Sequence, residues 1–295
     1  MAGMVNHSNR DLPLGIAQVL QAGPCTIEYF DCGSGPAVVI LPALAGRLIE
    51  FHSLIETLNA AGYRTLAVHL PGIGRSHCPF REQPTLHTFA DAIQSVVQQA
   101  TGSADAPVCL VGRGLGNRIA RTFATRYRQQ TRGLVLLAAG GKHRSRQTAS
   151  LLLRYFLLQV PGLPIGLRRR IMESIMCVRR NVLPESVCRR APLRAFLMQA
   201  KASRRTPVQE WWSAGIAPML VLQGAEDRVS PLANSQSLVD EYPDRVELKV
   251  LPHAGHALTY DVPDVVNREV LRFVSETLPT PVTDPESAST ARRQR

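Results

Sequence analysis

Val108-Cys109-Leu110-Val111-Gly112-Arg113-Gly114-Leu115-Gly116-Asn117-Arg118-Ile119-Ala120 is the stretch that decides how this chain is read. Val108 to Val111 is a continuous apolar run of the kind found in strands buried on both faces, and a glycine-rich turn ends it. The residues that follow read as a helix. This is the setting of the G-x-S-x-G pattern, in which a strained strand-to-helix turn lifts a side-chain oxygen above a sheet. Gly112 and Gly116 supply both flanking glycines, yet the central position is Gly114, which has no side chain. A dinucleotide-binding turn is excluded: G-x-G-x-x-G would need glycine where Asn117 stands. No acidic residue occurs from Arg118 through Met172 to hold a ribose hydroxyl.

Working outward, extended segments near Gly15–Gln21 and Cys25–Asp31 meet a Cys-Gly-Ser-Gly-Pro turn at 32–36 and predict a leading antiparallel hairpin. Strands are expected at Ala37–Leu41, Thr65–Leu70, Val108–Val111, Gly133–Ala138, Ala217–Leu222 and Val246–Leu251. Helical segments separate them at Leu48–Ala60, Thr85–Thr101, Pro231–Glu241 and Val262–Leu278. The Thr85–Thr101 segment places Phe89, Ile93, Val96 and Val97 on one side. Strands alternating with helices predict a mostly parallel sheet covered on both faces. The core is expected over 15–141 and 216–278, interrupted by a basic all-helical cap over 142–215. A flexible N-terminus (1–14) and a disordered Pro-, Thr- and Ser-rich tail (279–295) are expected around it.

Four landmarks carry a resemblance: Val38-Val39-Ile40-Leu41-Pro42-Ala43-Leu44-Ala45-Gly46, His69-Leu70-Pro71-Gly72-Ile73-Gly74-Arg75-Ser76, the Gly112–Gly116 turn, and the acid and histidine segments near the end. In their order and spacing they resemble the α/β-hydrolase fold superfamily with a helical cap, over roughly residues 15 to 278. The resemblance implies that Asp227, with Glu226 as fallback, is the acid after the penultimate strand. It also implies that His256, following Gly255, is the imidazole, with His253 a structural neighbour. Chemically, Asp227 would fix the tautomer of His256 and leave Nε2 free to accept a proton. The backbone N–H groups of Leu44 and Leu115 would form the oxyanion hole.

The pattern departs from the superfamily at three further places. Pro42-Ala43 stands where His-Gly is usual, and His69 where Asp is common. Arg113 stands beside the elbow where relatives often carry His, and either offers a positive charge to an anionic substrate or pairs with a carboxylate. Ser76, Cys78, Ser53 and His52 fall near the rim by analogy, but none sits on an elbow. The chain is therefore expected to act on a small, largely apolar substrate, with an anionic group as one option. The chemistry would be non-covalent acid–base work by a His–Asp dyad: water-mediated hydrolysis, or the lyase and cofactor-free oxygenase reactions of this superfamily. The alternative is an inactive binding or signalling protein, because the G-x-G-x-G elbow also resembles that of the N-myc downstream-regulated proteins.

Charge and composition narrow the classes. The net charge is +11, but Lys142 to Gly215 holds 15 Lys and Arg against 3 acidic residues, while the rest holds 19 basic and 20 acidic ones. That insertion is either a solvated arginine-rich face or a surface for an acidic carrier protein or an anionic membrane. No specific nucleic-acid binding, cofactor or metal is expected. The cysteines lack metal-like spacing, Cys109 reads as a core residue, and reduced thiols are the expectation. Without a secretory pattern at the start, a cytoplasmic location is expected.

Overall fold

The computed structural model describes residues 15–280, apart from positions 144 and 146. The segment 1–14 and nearly all of the tail 279–295 expected from the sequence lie outside the described residues. A hairpin of β1 (Ile16–Ala22) and β2 (Cys25–Cys32) leads into β3 (Ala37–Leu41), α1 (His52–Ala60), β4 (Arg64–Val68) and α2 (Leu86–Thr101). Next come β5 (Val108–Arg113), α3 (Leu115–Arg126) and β6 (Thr131–Leu137). The helices α4 (Thr148–Leu157), α5 (Ile165–Met176), α6 (Glu185–Cys188) and α7 (Leu193–Arg205) then intervene. The chain returns through β7 (Met219–Gly224), α8 (Leu232–Glu241), β8 (Val246–Leu251), α9 (Leu258–Asp261) and α10 (Pro263–Thr277).

The strands form one sheet in the order β1-β2-β4-β3-β5-β6-β7-β8. β2 pairs antiparallel with both β1 and β4, and every other neighbouring pair is parallel. Side chains on a strand alternate between faces, so each apolar run feeds two layers at once. Val39 and Leu41, Leu110, Leu134 and Leu136 pack toward α2 and α3. Val38 and Ile40, Val111, Val135 and Leu137 pack toward α1 and α10. Phe89, Ile93, Val96 and Val97 are all buried on α2, as its periodicity predicts. That helix starts at a Thr85–Thr88 capping box and ends where Gly102 adopts a left-handed conformation.

Some boundaries differ for tertiary reasons. β4 stops at Val68, short of the expected Leu70, because His69 turns into a buried cluster. Its Nδ1 lies 2.9 Å from Glu28 Oε2, and its carbonyl accepts from Ser76 Oγ at 2.7 Å. The expectation of reduced thiols is corrected at one pair. Cys25 and Cys78, separated by 53 residues, form a disulfide beside the Thr26–His77 bridge, while Cys32, Cys109, Cys177 and Cys188 are free. Cys109 is a core residue, and burial pushes its thiol up to about 12.

The α4–α7 segment is fastened to the core by α7, whose Met198 and Ala202 enter the main apolar cluster with Trp211 and Trp212. Beneath those tryptophans lies the fully buried Arg121, 4.5 and 5.1 Å from the two rings. Leu151, Leu158 and Ile175 form a separate small cluster. Leu152, Phe156 and Leu197 on this segment are exposed. Among the described residues, no helix is long and apolar enough to cross a membrane.

Candidate active site

Gly114 sits at the turn between β5 and α3 with φ 55° and ψ −111°. The flanking glycines are required by close backbone approach. A Cβ on Gly112 would lie 2.5 Å from the Gly116 carbonyl carbon, and one on Gly116 only 2.2 Å from Leu41 O. Gly114 is different. A Cβ there would lie 3.2 Å from Ala43 Cβ and 3.8 Å from His256 Nε2, so backbone conformation rather than crowding favours glycine.

The structure brings His256 and Asp227 together over this turn. His256 follows β8, Asp227 follows β7, and the parallel β7–β8 pairing sets their loops side by side. His256 Nδ1 lies 3.0 Å from Asp227 Oδ2, with the side chains 7% and 1% exposed. Asp227 Oδ1 accepts from the Val229 and Ser230 N–H groups at 2.8 and 2.9 Å. Burial raises the Asp227 pKa, but the charge and hydrogen bond of His256 and these two amides outweigh it and hold the carboxyl below its ordinary value. Glu226 is exposed and accepts from Ala254 N instead. His253 is an exposed residue in a left-handed turn.

Three supporting residues escape sequence reading. Gln223 donates to Asp227 Oδ2 at 3.0 Å and is itself held by Ser235 Oγ at 2.9 Å. Asp261 accepts from Gly255 N at 2.8 Å and from Val178 N at 3.1 Å, tying the histidine loop to the end of α5. Gln199, fully buried on α7, accepts from Ala45 N at 2.7 Å and donates to Pro71 O at 2.9 Å. It therefore holds the loop that carries Leu44. A glutamine on an amphipathic helix gives no local signal of such a contact.

Leu44 and Leu115 both line a cavity of about 750 Å³ together with Gly114 and His256. The Leu115 N–H is the first in α3 and so has no acceptor within its own helix. Of the two roles open to Arg113, pairing is the one seen. Its Nη2 lies 2.5 Å from Glu50 Oε2 with both side chains buried, and it faces a second, smaller cavity of about 110 Å³. The attraction of Glu50 outweighs burial and keeps the guanidinium charged.

The residues weighed in place of a serine are engaged elsewhere. Ser76 accepts from Glu28 N, Cys78 is in the disulfide, Ser53 Oγ accepts from Asn267, and His52 meets Glu56. What remains at the turn is an imidazole with a free Nε2 edge, backbone donors, and room where a side chain is missing.

The chain is 26% identical over 274 residues to a 2-hydroxy-6-oxononadienedioate/2-hydroxy-6-oxononatrienedioate hydrolase of Comamonas testosteroni, covering 84% of this chain and 91% of that one. It is likewise 26% identical over 274 residues to a 2-hydroxy-6-oxo-6-phenylhexa-2,4-dienoate hydrolase of Burkholderia cepacia, with the same coverage of 84% and 91%. Among solved structures, an esterase from Exiguobacterium antarcticum superposes with a TM-score of 0.74 at 19% identity, over 88% of this chain and 100% of that one. A family model described as serine aminopeptidase, S33, matches residues 35–263. With that match spanning most of the chain, and the sheet order and helical layers above, the protein belongs to the serine aminopeptidase S33 family and has the α/β-hydrolase fold.

Proposed function

We propose that this chain is a hydrolase that activates water directly, with no covalent enzyme intermediate. The observation that carries the reading is the buried His256–Asp227 pair facing unfilled space above Gly114. His256 Nε2 takes a proton from a water molecule as the water oxygen bonds to the substrate carbonyl carbon. The N–H groups of Leu44 and Leu115 receive the resulting oxyanion. As the intermediate collapses, the bond to the leaving group breaks and His256 returns the proton to it, so the products are an acid and an alcohol or a ketone. Asp227 stabilises the transient imidazolium and keeps Nε2 as the acceptor.

The substrate is a small and largely apolar molecule. Leu44, Leu115, Tyr155, Met176 and Phe196 line the main cavity, and the named relatives act on small molecules. Hydrolysis is favoured over proton abstraction or oxygenation because backbone donors beside the dyad suit a tetrahedral oxyanion. The test is turnover of a panel of aryl esters and vinylogous 1,5-diketones, with rapid-quench search for an acyl-enzyme. Expected is steady turnover with no burst, reduced about 10²–10⁴-fold in His256→Ala. A wild type that binds members of the panel and turns over none would instead make this a binding protein.

A further inference from the structure

We propose that the outer face of the α4–α7 segment docks on an anionic lipid surface, turning the mouth of the main cavity toward the bilayer. The starting observation is that α4 is apolar on both sides. Leu151, and Leu158 just past the end of the helix, are 6% and 7% exposed, while Leu152, Leu153 and Phe156 are 63%, 61% and 73% exposed. Further exposed leucines are Leu167 on α5, which packs against α4, and Leu193 and Leu197 on α7, where Leu197 shares the lining of the main cavity with Leu152. Scattered exposed leucines are ordinary, but a patch gathered along neighbouring helices marks an interaction surface.

Two features identify the partner. The first is charge. The segment from Lys142 to Gly215 has 15 basic residues against 3 acidic ones, and the arginines border the patch. Arg170 lies one turn from Leu167, Arg194 lies one turn from Leu197, and Arg190 donates to the Gln159 carbonyl beside Val160. Arg170, Arg189 and Arg194 are exposed and make no ion pair with any described carboxylate. Aliphatic and aromatic side chains on one face with arginine around them are what an interfacial segment presents to acyl chains and acidic headgroups.

The second feature is position. Leu152 and Leu197 line the main cavity as well as standing exposed, so the patch runs into its mouth. Docking there would let an apolar substrate pass from lipid to His256 without crossing water. A second copy of the chain is a poor occupant, since a symmetric contact would press two surfaces of strong like charge together. The docking stands on its own observations and does not depend on the catalytic reading.

The test is flotation of the full chain with vesicles of pure phosphatidylcholine, and of phosphatidylcholine mixed equally with phosphatidylglycerol. Binding is expected to the mixed vesicles and not to the neutral ones, weakening as the Debye length falls below about 10 Å with added salt. The double variant Leu153→Ser/Phe156→Ser should bind at least about tenfold more weakly. Arg170→Gln/Arg194→Gln should lose roughly fivefold per arginine. All four positions are exposed, and unfolding midpoints equal to wild type would show that the fold is intact. Absence of binding to the mixed vesicles overturns the proposal, as does binding that ignores both double variants. A dimer that Phe156→Ser dissociates, without vesicle binding, would assign the face to a second copy, and capture by a polyanionic protein alone would assign it to an acidic partner.

Discussion

Replacing Gly114 with serine tests whether the elbow is poised for the chemistry it lacks. A Cβ at this position lies 3.8 Å from His256 Nε2. A C–O bond of about 1.4 Å directed at the ring therefore brings Oγ to about 2.6–3.2 Å from Nε2, the range in which an imidazole accepts a hydroxyl proton. The cost lies in the backbone. At φ 55° an L-residue stores about 1–3 kcal/mol, and Ala43 Cβ at 3.2 Å must yield slightly. Gly114→Ser should thus fold with reduced stability, and Gly114→Ser/Ala43→Gly should recover part of the loss. With 4-nitrophenyl acetate we expect a burst of one product per active site, acyl-enzyme detectable by mass, and ester turnover raised about 10²–10⁴-fold over wild type. The triple combination with His256→Ala should lose the gain. A folded variant that traps no acyl group, or a gain that survives loss of His256, would refute the geometry on which the proposed function rests.

Three further outcomes follow from buried polar contacts. Gln223→Ala leaves Asp227 with its two backbone donors but frees the carboxylate to rotate, so kcat should fall about tenfold with KM little changed in steady-state assays. Glu28, held by His69 and by both the N–H and the guanidinium of Arg75, has its pKa lowered from 4.5 to about 2 even though burial alone would raise it. Its stabilisation, on the order of 2–3 kcal/mol, is complete above the unfolded value and is lost as pH falls through about 2; urea titrations at pH 7 and pH 2 should differ less in Glu28→Gln than in wild type. Glu50→Gln strands the Arg113 guanidinium and should cost about 3–5 kcal/mol in chemical unfolding, whereas an unchanged midpoint would mean that the ion pair contributes nothing net.

The fold was legible because most core strands are short apolar runs bounded by turn residues; β3 spans Ala37–Leu41 as its pattern predicts. The positions of Asp227 and His256 were legible through the resemblance, each lying just past a strand in a loop that matches the superfamily's pattern. Contacts between distant segments were not. Nothing near Cys25 announces Cys78, and nothing near Gln199 announces Ala45. Within the basic insertion, Arg168 is buried and donates to the carbonyls of Leu158 and Val160, closing the turn between α4 and α5. Counting charges cannot tell an arginine that caps carbonyls from one that faces solvent.

Gln199 links two parts of the candidate site. One amide side chain bonds both the backbone beside Leu44 and the carbonyl of Pro71, while its own helix is part of the roof over the cavity. Any displacement of α7 that parted these contacts would break both bonds at once and slacken the loop that carries Leu44, the donor in the proposed reaction. A bound molecule that leaves Gln199 in place would keep that loop held, so the fit against α7 and the order around Leu44 are linked through one side chain.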